Sequence, residues 1–97
     1  MVVAGSSPVS RSFKVFFTYI IYSTARDRYY VGHCEDINLR LERHNLGFTR
    51  STKSGVPWNM MYYETFETRV EAIRREREIK RWKSRRMIED LIRSACE

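Results

Sequence analysis

Arg40, His44 and Glu76 lie where a purely structural helix would carry hydrocarbon. Ile37, Arg40, Leu41 and His44 fall at i, i+3, i+4 and i+7 of a short predicted helix, Ile37 to Asn45, so an arginine and a histidine share its apolar stripe. In the next predicted helix the inward stripe is Ala72, Ile73, Glu76, Ile79 and Lys80. Glu76 therefore sits among core positions, whereas Glu78, rotated from it by about 200°, belongs with Glu71 and Arg75 on the solvated side. A guanidinium can grip two phosphate oxygens at once. A carboxylate can bind a hard divalent cation, and an imidazole can relay a proton near neutral pH. These are parts suited to phosphodiester hydrolysis, which needs an attacking water, a proton acceptor, charge neutralisation in the transition state and help for the leaving alkoxide. Residue by residue, blander roles stay open: an ion pair of Glu76 with Arg40 or Lys80, a bridge from Arg40 across the helix edge, a satisfied helix-end His44, and core or stacking roles for Tyr19 and Tyr30.

The charge balance agrees with an anionic partner. Eighteen Lys and Arg against 12 Asp and Glu give a net charge of +6, and each cation set against a phosphate releases condensed counterions. Nucleic acid leads the candidates, although a ribosome-associated or membrane-surface protein would be equally basic. Ten of the 18 cations lie between Arg69 and Arg93, including the run from Lys80 to Arg86. That run reads either as a nucleic-acid-binding ridge, with Lys80, Arg81 and Lys83 on phosphates and Trp82 stacking, or as a solvated helix face with Trp82 inward. Arg50 and Lys53, in a Gly/Ser/Thr-rich loop, are comparable contacts, and His33 either faces the site beside Gly32 or simply ends a strand.

The elements that must position these residues can be read from periodicity and caps. Phe13 to Ser23 alternates between two largely apolar sets and predicts a central strand covered on both faces. A polar turn leads to a second strand, Tyr29 to His33, and a third is predicted at Trp58 to Glu64 after the loop Leu46 to Pro57. Asp36 can cap the helix Ile37 to Asn45, with Gly47 ending it in the left-handed conformation. Thr68 and Glu71 form a capping box for a helix running to about Trp82, and Ser84 caps a last helix with the stripe Met87, Ile88, Leu91, Ile92 and Ala95. For Tyr19 and Tyr30 to share a sheet face, odd positions of the first strand must pair with even positions of the second, or a bulge must intervene.

At 97 residues with 42% hydrophobic composition the chain has room for one modest core, and a single domain is expected, with no second one. Residues 1–12 read as a disordered polar tail, and residues 13–95 as the domain. Codons that can spell Gly5-Ser6-Ser7-Pro8-Val9 include the loop and stem of a tRNA T-arm, an observation that would put the true start downstream. Cys34 and Cys96 lack metal or disulfide spacing, no secretory signal is evident, and Phe13 to Tyr22 is too short to span a membrane; a cytoplasmic setting is expected.

The order Phe17-Thr18-Tyr19, Tyr30-Val31-Gly32, Arg40-x-x-x-His44-Asn45-x-Gly47, Pro57-Trp58-Asn59-Met60 and Ala72-Ile73-Arg74-Arg75-Glu76-x-x-Ile79-Lys80 resembles the GIY-YIG nuclease superfamily over about residues 13 to 92. It is similar to small stand-alone bacterial members and to the nuclease domain of the excision-repair C subunit. Phe17 and Thr18 stand where the first motif has Gly and Ile, His33 stands where repair-subunit members usually carry Lys, and no late Asn follows the glutamate helix. The resemblance implies an α/β fold of α+β type, a three-stranded antiparallel sheet flanked by helices with the active site on one face. It implies a divalent-metal-dependent DNA endonuclease, structure-selective and linked to repair or recombination, with Tyr19, Tyr30, Arg40, His44 and Glu76 catalytic and Glu76 holding Mg²⁺ or Mn²⁺. Its implied partners are DNA and a larger repair complex or a homodimer, with neither a membrane nor a small-molecule cofactor. The competing expectation is a non-catalytic nucleic-acid-binding module that keeps the fold.

Overall fold

The computed structural model describes residues 14–95; the polar segment 1–12 and the start of the predicted first strand at Phe13 lie outside them. Strands β1 (Phe16–Ser23), β2 (Arg28–Cys34) and β3 (Trp58–Phe66) form one antiparallel sheet in the order β2-β1-β3. Helices α1 (Ile37–Asn45), α2 (Arg69–Trp82) and α3 (Arg85–Ala95) flank it. The central position of β1 follows from its sequence, since only the middle strand is covered on both faces and needs apolar residues at both parities.

The β1–β2 register meets the condition set by the tyrosines. Tyr19 lies opposite Gly32 and Ile21 opposite Tyr30, odd against even, so both tyrosines point to the α1 side. The bulge falls instead between β1 and β3, where Ile20 pairs with Tyr62 and Ile21 with Met60. Met61 is thereby the extra residue, and the even positions of β3 change faces across it: Trp58 and Met60 pack with Tyr19, Ile21 and Cys34, while Tyr62 packs with Ile20, Val31, Ile79 and Ile92. Complete burial of an aliphatic such as Ile20 or Ile79 contributes about 1.5–3 kcal/mol, and one sits in each layer of the α2 side.

Local caps follow the sequence closely. Leu39 N–H donates to the Asp36 carboxylate at the start of α1 (3.0 Å), and Glu71 N–H to Thr68 Oγ1 at the start of α2 (3.2 Å). Met87 N–H donates to Ser84 Oγ, and Gly47 adopts φ 81° after α1. Some side-chain placements differ from expectation. Arg75 is not on a solvated face: it turns onto β3 and pairs with Glu64 (3.0 Å), where its guanidinium also covers Trp82. Met87 and Ala95 stay exposed, so the α3 stripe narrows to Ile88, Leu91 and Ile92. This 11-residue helix packs that narrow stripe against the cluster of Ile20, Val31 and Ile79.

Candidate active site

Tyr19 lies 1% exposed under α1, and its ring crosses Gly32 so closely that a Cβ there would be 2.6 Å from the phenol oxygen. Position 32 must be glycine for this reason, a close approach rather than a turn. From α1, the buried His44 meets Tyr19: Oη and Nε2 are 2.9 Å apart. On the other side of the ring, His44 Nδ1 lies 2.7 Å from Thr52 Oγ1, which itself donates to the Thr49 carbonyl (3.3 Å). Thr52, its own proton committed, accepts from Nδ1–H; Nε2 is then the acceptor, and Tyr19 donates to it. Burial first, and Arg40 second, hold the imidazole below its ordinary pKa, so it is neutral at pH 7. Burial, with the neighbouring Tyr30 adding to it and Arg40 opposing, pushes the Tyr19 phenol up.

Two anchors fix the segment that carries Thr52. Trp58 Nε1–H donates to the Thr52 carbonyl (2.7 Å), and Asn45 holds both backbone groups of Trp58, accepting from its N–H (2.5 Å) and donating to its carbonyl (3.1 Å). The His-Asn pair at the end of α1 thus joins the helix, the loop and β3. Tyr30 stacks edge-on against His44 and Trp58, with centroids 5.3 and 6.2 Å apart, and the Lys80 ammonium lies 5.7 Å from its ring. Arg40, half-buried, forms no ion pair among the described residues and lines a cleft of about 500 Å³ with His33, Arg43, Thr49 and Arg69 and with the carboxylates of Glu35 and Asp36.

Glu76 comes from the opposite layer. Its side chain is 15% exposed, with Oε1 2.5 Å from His33 Nδ1 and Oε2 2.6 Å from Lys80 Nζ. Burial pulls its carboxyl up, yet the hydrogen bonds and charges of Lys80 and His33 outweigh that and leave it below the ordinary value, ionised at neutral pH. The expectation of a site confined to one sheet face is therefore modified. Tyr19, Tyr30, Arg40 and His44 gather on the α1 side, Glu76 and His33 on the α2 side, and the groups meet around β2. They can meet because β2 is an edge strand, past which the long Lys80 side chain reaches Tyr30.

The remaining candidates are dispersed. Lys80 is not an inward residue but an exposed one closing on Glu76. Arg50, Lys53, Arg81 and Lys83 are exposed, and none forms an ion pair among the described residues. Trp82 packs inward against the Ile20 and Ile79 cluster, which removes it as a stacking residue of the basic ridge. Thr52 was missed by sequence reasoning; the only signal for it was a threonine in a loop following the helix-end histidine. Thr18, one of the two departures in the first motif, faces the α2 side opposite His33 and donates to the Ala72 carbonyl (2.7 Å), with no hydrogen bond to His33 or Glu76 among the described residues.

Among the described residues no three His, Cys, Asp or Glu side chains cluster for metal binding, and no helix is long and apolar enough to cross a membrane. One ionised carboxylate, its outer oxygen already covered by an ammonium, still fits a hard cation that keeps water and substrate oxygens as its other ligands.

Comparison with known proteins identifies the family and the fold. The family model described as the GIY-YIG catalytic domain matches residues 15–89. UPF0213 proteins of Staphylococcus aureus strains Mu3 and Mu50 are each 38% identical over 78 residues, covering 76% of this chain and 94% of theirs. A solution NMR structure of a UPF0213 protein from Bacillus halodurans matches with TM-score 0.51 and 28% identity, over 80% of this chain and 82% of that one. With the three-stranded antiparallel sheet, its flanking helices and a matched span covering most of its length, the chain belongs to the GIY-YIG catalytic domain family, a nuclease superfamily.

Proposed function

We propose that the protein is a divalent-metal-dependent endonuclease that hydrolyses DNA phosphodiesters, selecting branched, damaged or otherwise distorted structure, with a place in repair or recombination. The observation that carries this reading is the buried Tyr19–His44 hydrogen bond beside an arginine with no carboxylate partner. A phenol with a raised pKa is not a phenolate at rest, so it can serve as base only if its own proton has somewhere to go. His44 Nε2, neutral and lacking a proton, is that acceptor. As water attacks phosphorus, Tyr19 Oη takes the water's proton while the phenol proton passes to His44, leaving an imidazolium that Thr52 still orients; the P–O bond to the leaving sugar oxygen breaks, and that oxygen takes a proton from solvent. Arg40 neutralises the phosphate oxygens. The Tyr30 hydroxyl, with no protein partner among the described residues, is available to a substrate oxygen.

Glu76 would hold Mg²⁺ or Mn²⁺, with Lys80 moving aside. The ion's chemistry there is charge stabilisation at phosphate and leaving oxygen. One observation favours the non-catalytic alternative: both Glu76 oxygens are engaged by the protein's own side chains, Oε1 by His33 and Oε2 by Lys80. Incubating the protein with Mg²⁺, Mn²⁺ or EDTA and a panel of flaps, junctions, nicked duplexes and single strands separates the readings. Metal-dependent cleavage that disappears in Glu76→Gln is expected. Binding without cleavage by the unsubstituted protein would favour the module, and cleavage surviving in Glu76→Gln would defeat the role given to that residue.

A further inference from the structure

Phe48, four residues past His44, is 66% exposed, yet its backbone is held firmly. Leu46, Gly47 and Phe48 N–H groups donate to the Glu42, His44 and Arg43 carbonyls at 2.9, 3.1 and 3.1 Å, closing the end of α1 around the left-handed Gly47. The residue after such a glycine usually packs hydrocarbon back onto the helix. Here the ring meets the Arg43 guanidinium instead, 5.6 Å from its centroid, and remains largely in water. Arg43 also lines the cleft that contains Arg40, one helical turn away, and neither arginine has a carboxylate partner among the described residues.

We propose that Phe48 and Arg43 form a stacking subsite for an unpaired nucleobase of the strand whose phosphate Arg40 grips. The inference rests on the nuclease reading above and narrows its substrate class. A base inside a duplex has both faces covered by its neighbours, whereas an unpaired base offers a π-face that any aromatic ring can take, with cation–π support from a guanidinium. Arg43 beside the ring also neutralises the adjoining phosphate. The substrate implied is DNA with an unpaired nucleotide next to the cut: a flap, a gap, a loop or a single strand.

The test measures binding, so it does not depend on turnover. In a Glu76→Gln background without metal, fluorescence anisotropy is followed with a single-stranded oligonucleotide, the same oligonucleotide carrying 2-aminopurine, and a fully paired duplex. Phe48→Ala is expected to bind the single strand on the order of tenfold more weakly, the loss given by one stacked base. It should bind the duplex as before and lose the 2-aminopurine quenching, while Phe48→Trp restores both. Affinity of Phe48→Ala unchanged from its parent on every probe, an equal loss on single strand and duplex, or a lowered melting temperature with unchanged discrimination would overturn the proposal and leave Phe48 as a helix cap. Absence of cleavage by the unsubstituted protein would instead count against the nuclease reading.

Discussion

Replacing Gly32 by alanine displaces the Tyr19 phenol without removing any polar group. The new Cβ would stand 2.6 Å from Oη, 2.8 Å from Cζ and 3.2 Å from Cε2. Comfortable contact begins near ~3.5 Å, so the ring must withdraw by roughly 1 Å. It has nowhere to go easily, being 1% exposed and directly opposite Gly32 across the β1–β2 ladder. Overpacking of this kind costs about 1–3 kcal/mol. If the phenol leaves His44, a buried Nε2 loses its donor at a further cost of about 1–3 kcal/mol. The expected total, about 2–6 kcal/mol, is a large part of a small domain's stability. Urea unfolding of wild type, Gly32→Ala, Tyr19→Phe and the double variant measures it. Tyr19→Phe removes the nearest atom and has already forfeited the hydrogen bond, so Gly32→Ala should cost distinctly less in that background. A Gly32→Ala protein within about 0.5 kcal/mol of wild type would refute the close crossing of Tyr19 over Gly32.

Thr52→Val keeps the shape beside His44 but removes the acceptor for Nδ1–H; a loss of about 1–3 kcal/mol in urea unfolding is expected, and the ring nitrogens in ¹⁵N NMR should no longer report a single tautomer. Because the folded His44 pKa lies below its unfolded value near 6.5, the unfolded chain binds the extra proton first, so stability should fall as pH drops through 6.5 and stop falling below the folded pKa. Melting curves from pH 8 to 5 check this, and His44→Gln should flatten that part of the profile. Glu76 titrates with the opposite preference for charge: its depressed pKa adds stability above about 4.5 that is lost as pH falls through the folded value, and Glu76→Gln should remove this second, more acidic loss. Lys80→Met uncovers the outer Glu76 oxygen and should lower the Mg²⁺ concentration at which cleavage is half-maximal; an unchanged requirement would mean that the ammonium does not compete there.

Much of this arrangement was legible because it is encoded locally. The bounds of α1 and α2 follow from Asp36, Gly47 and Thr68, whose side chains or φ angles act within a few residues. The condition on the Tyr19 and Tyr30 register followed from strand periodicity alone. Glu76 stood out because helical spacing puts it on one stripe with Ala72 and Ile79, and both of these are buried. What sequence could not show depends on the third dimension. Thr52 becomes His44's partner only when the loop folds back under Trp58. Arg75 left the solvated face because Glu64 arrives from β3, and the division of the site between two layers depends on β2 being an edge, which strand order alone decides.

The Tyr19–His44 relay is tested most directly by single-turnover cleavage with saturating metal, comparing wild type with Tyr19→Phe. The phenylalanine ring keeps the packing over Gly32 but can neither accept the water's proton nor pass one to His44. A fall in rate of about 10²- to 10⁴-fold, with DNA binding unchanged, is the expected result. A Tyr19→Phe protein that is folded, binds DNA and cleaves within a few-fold of the wild-type rate would contradict it.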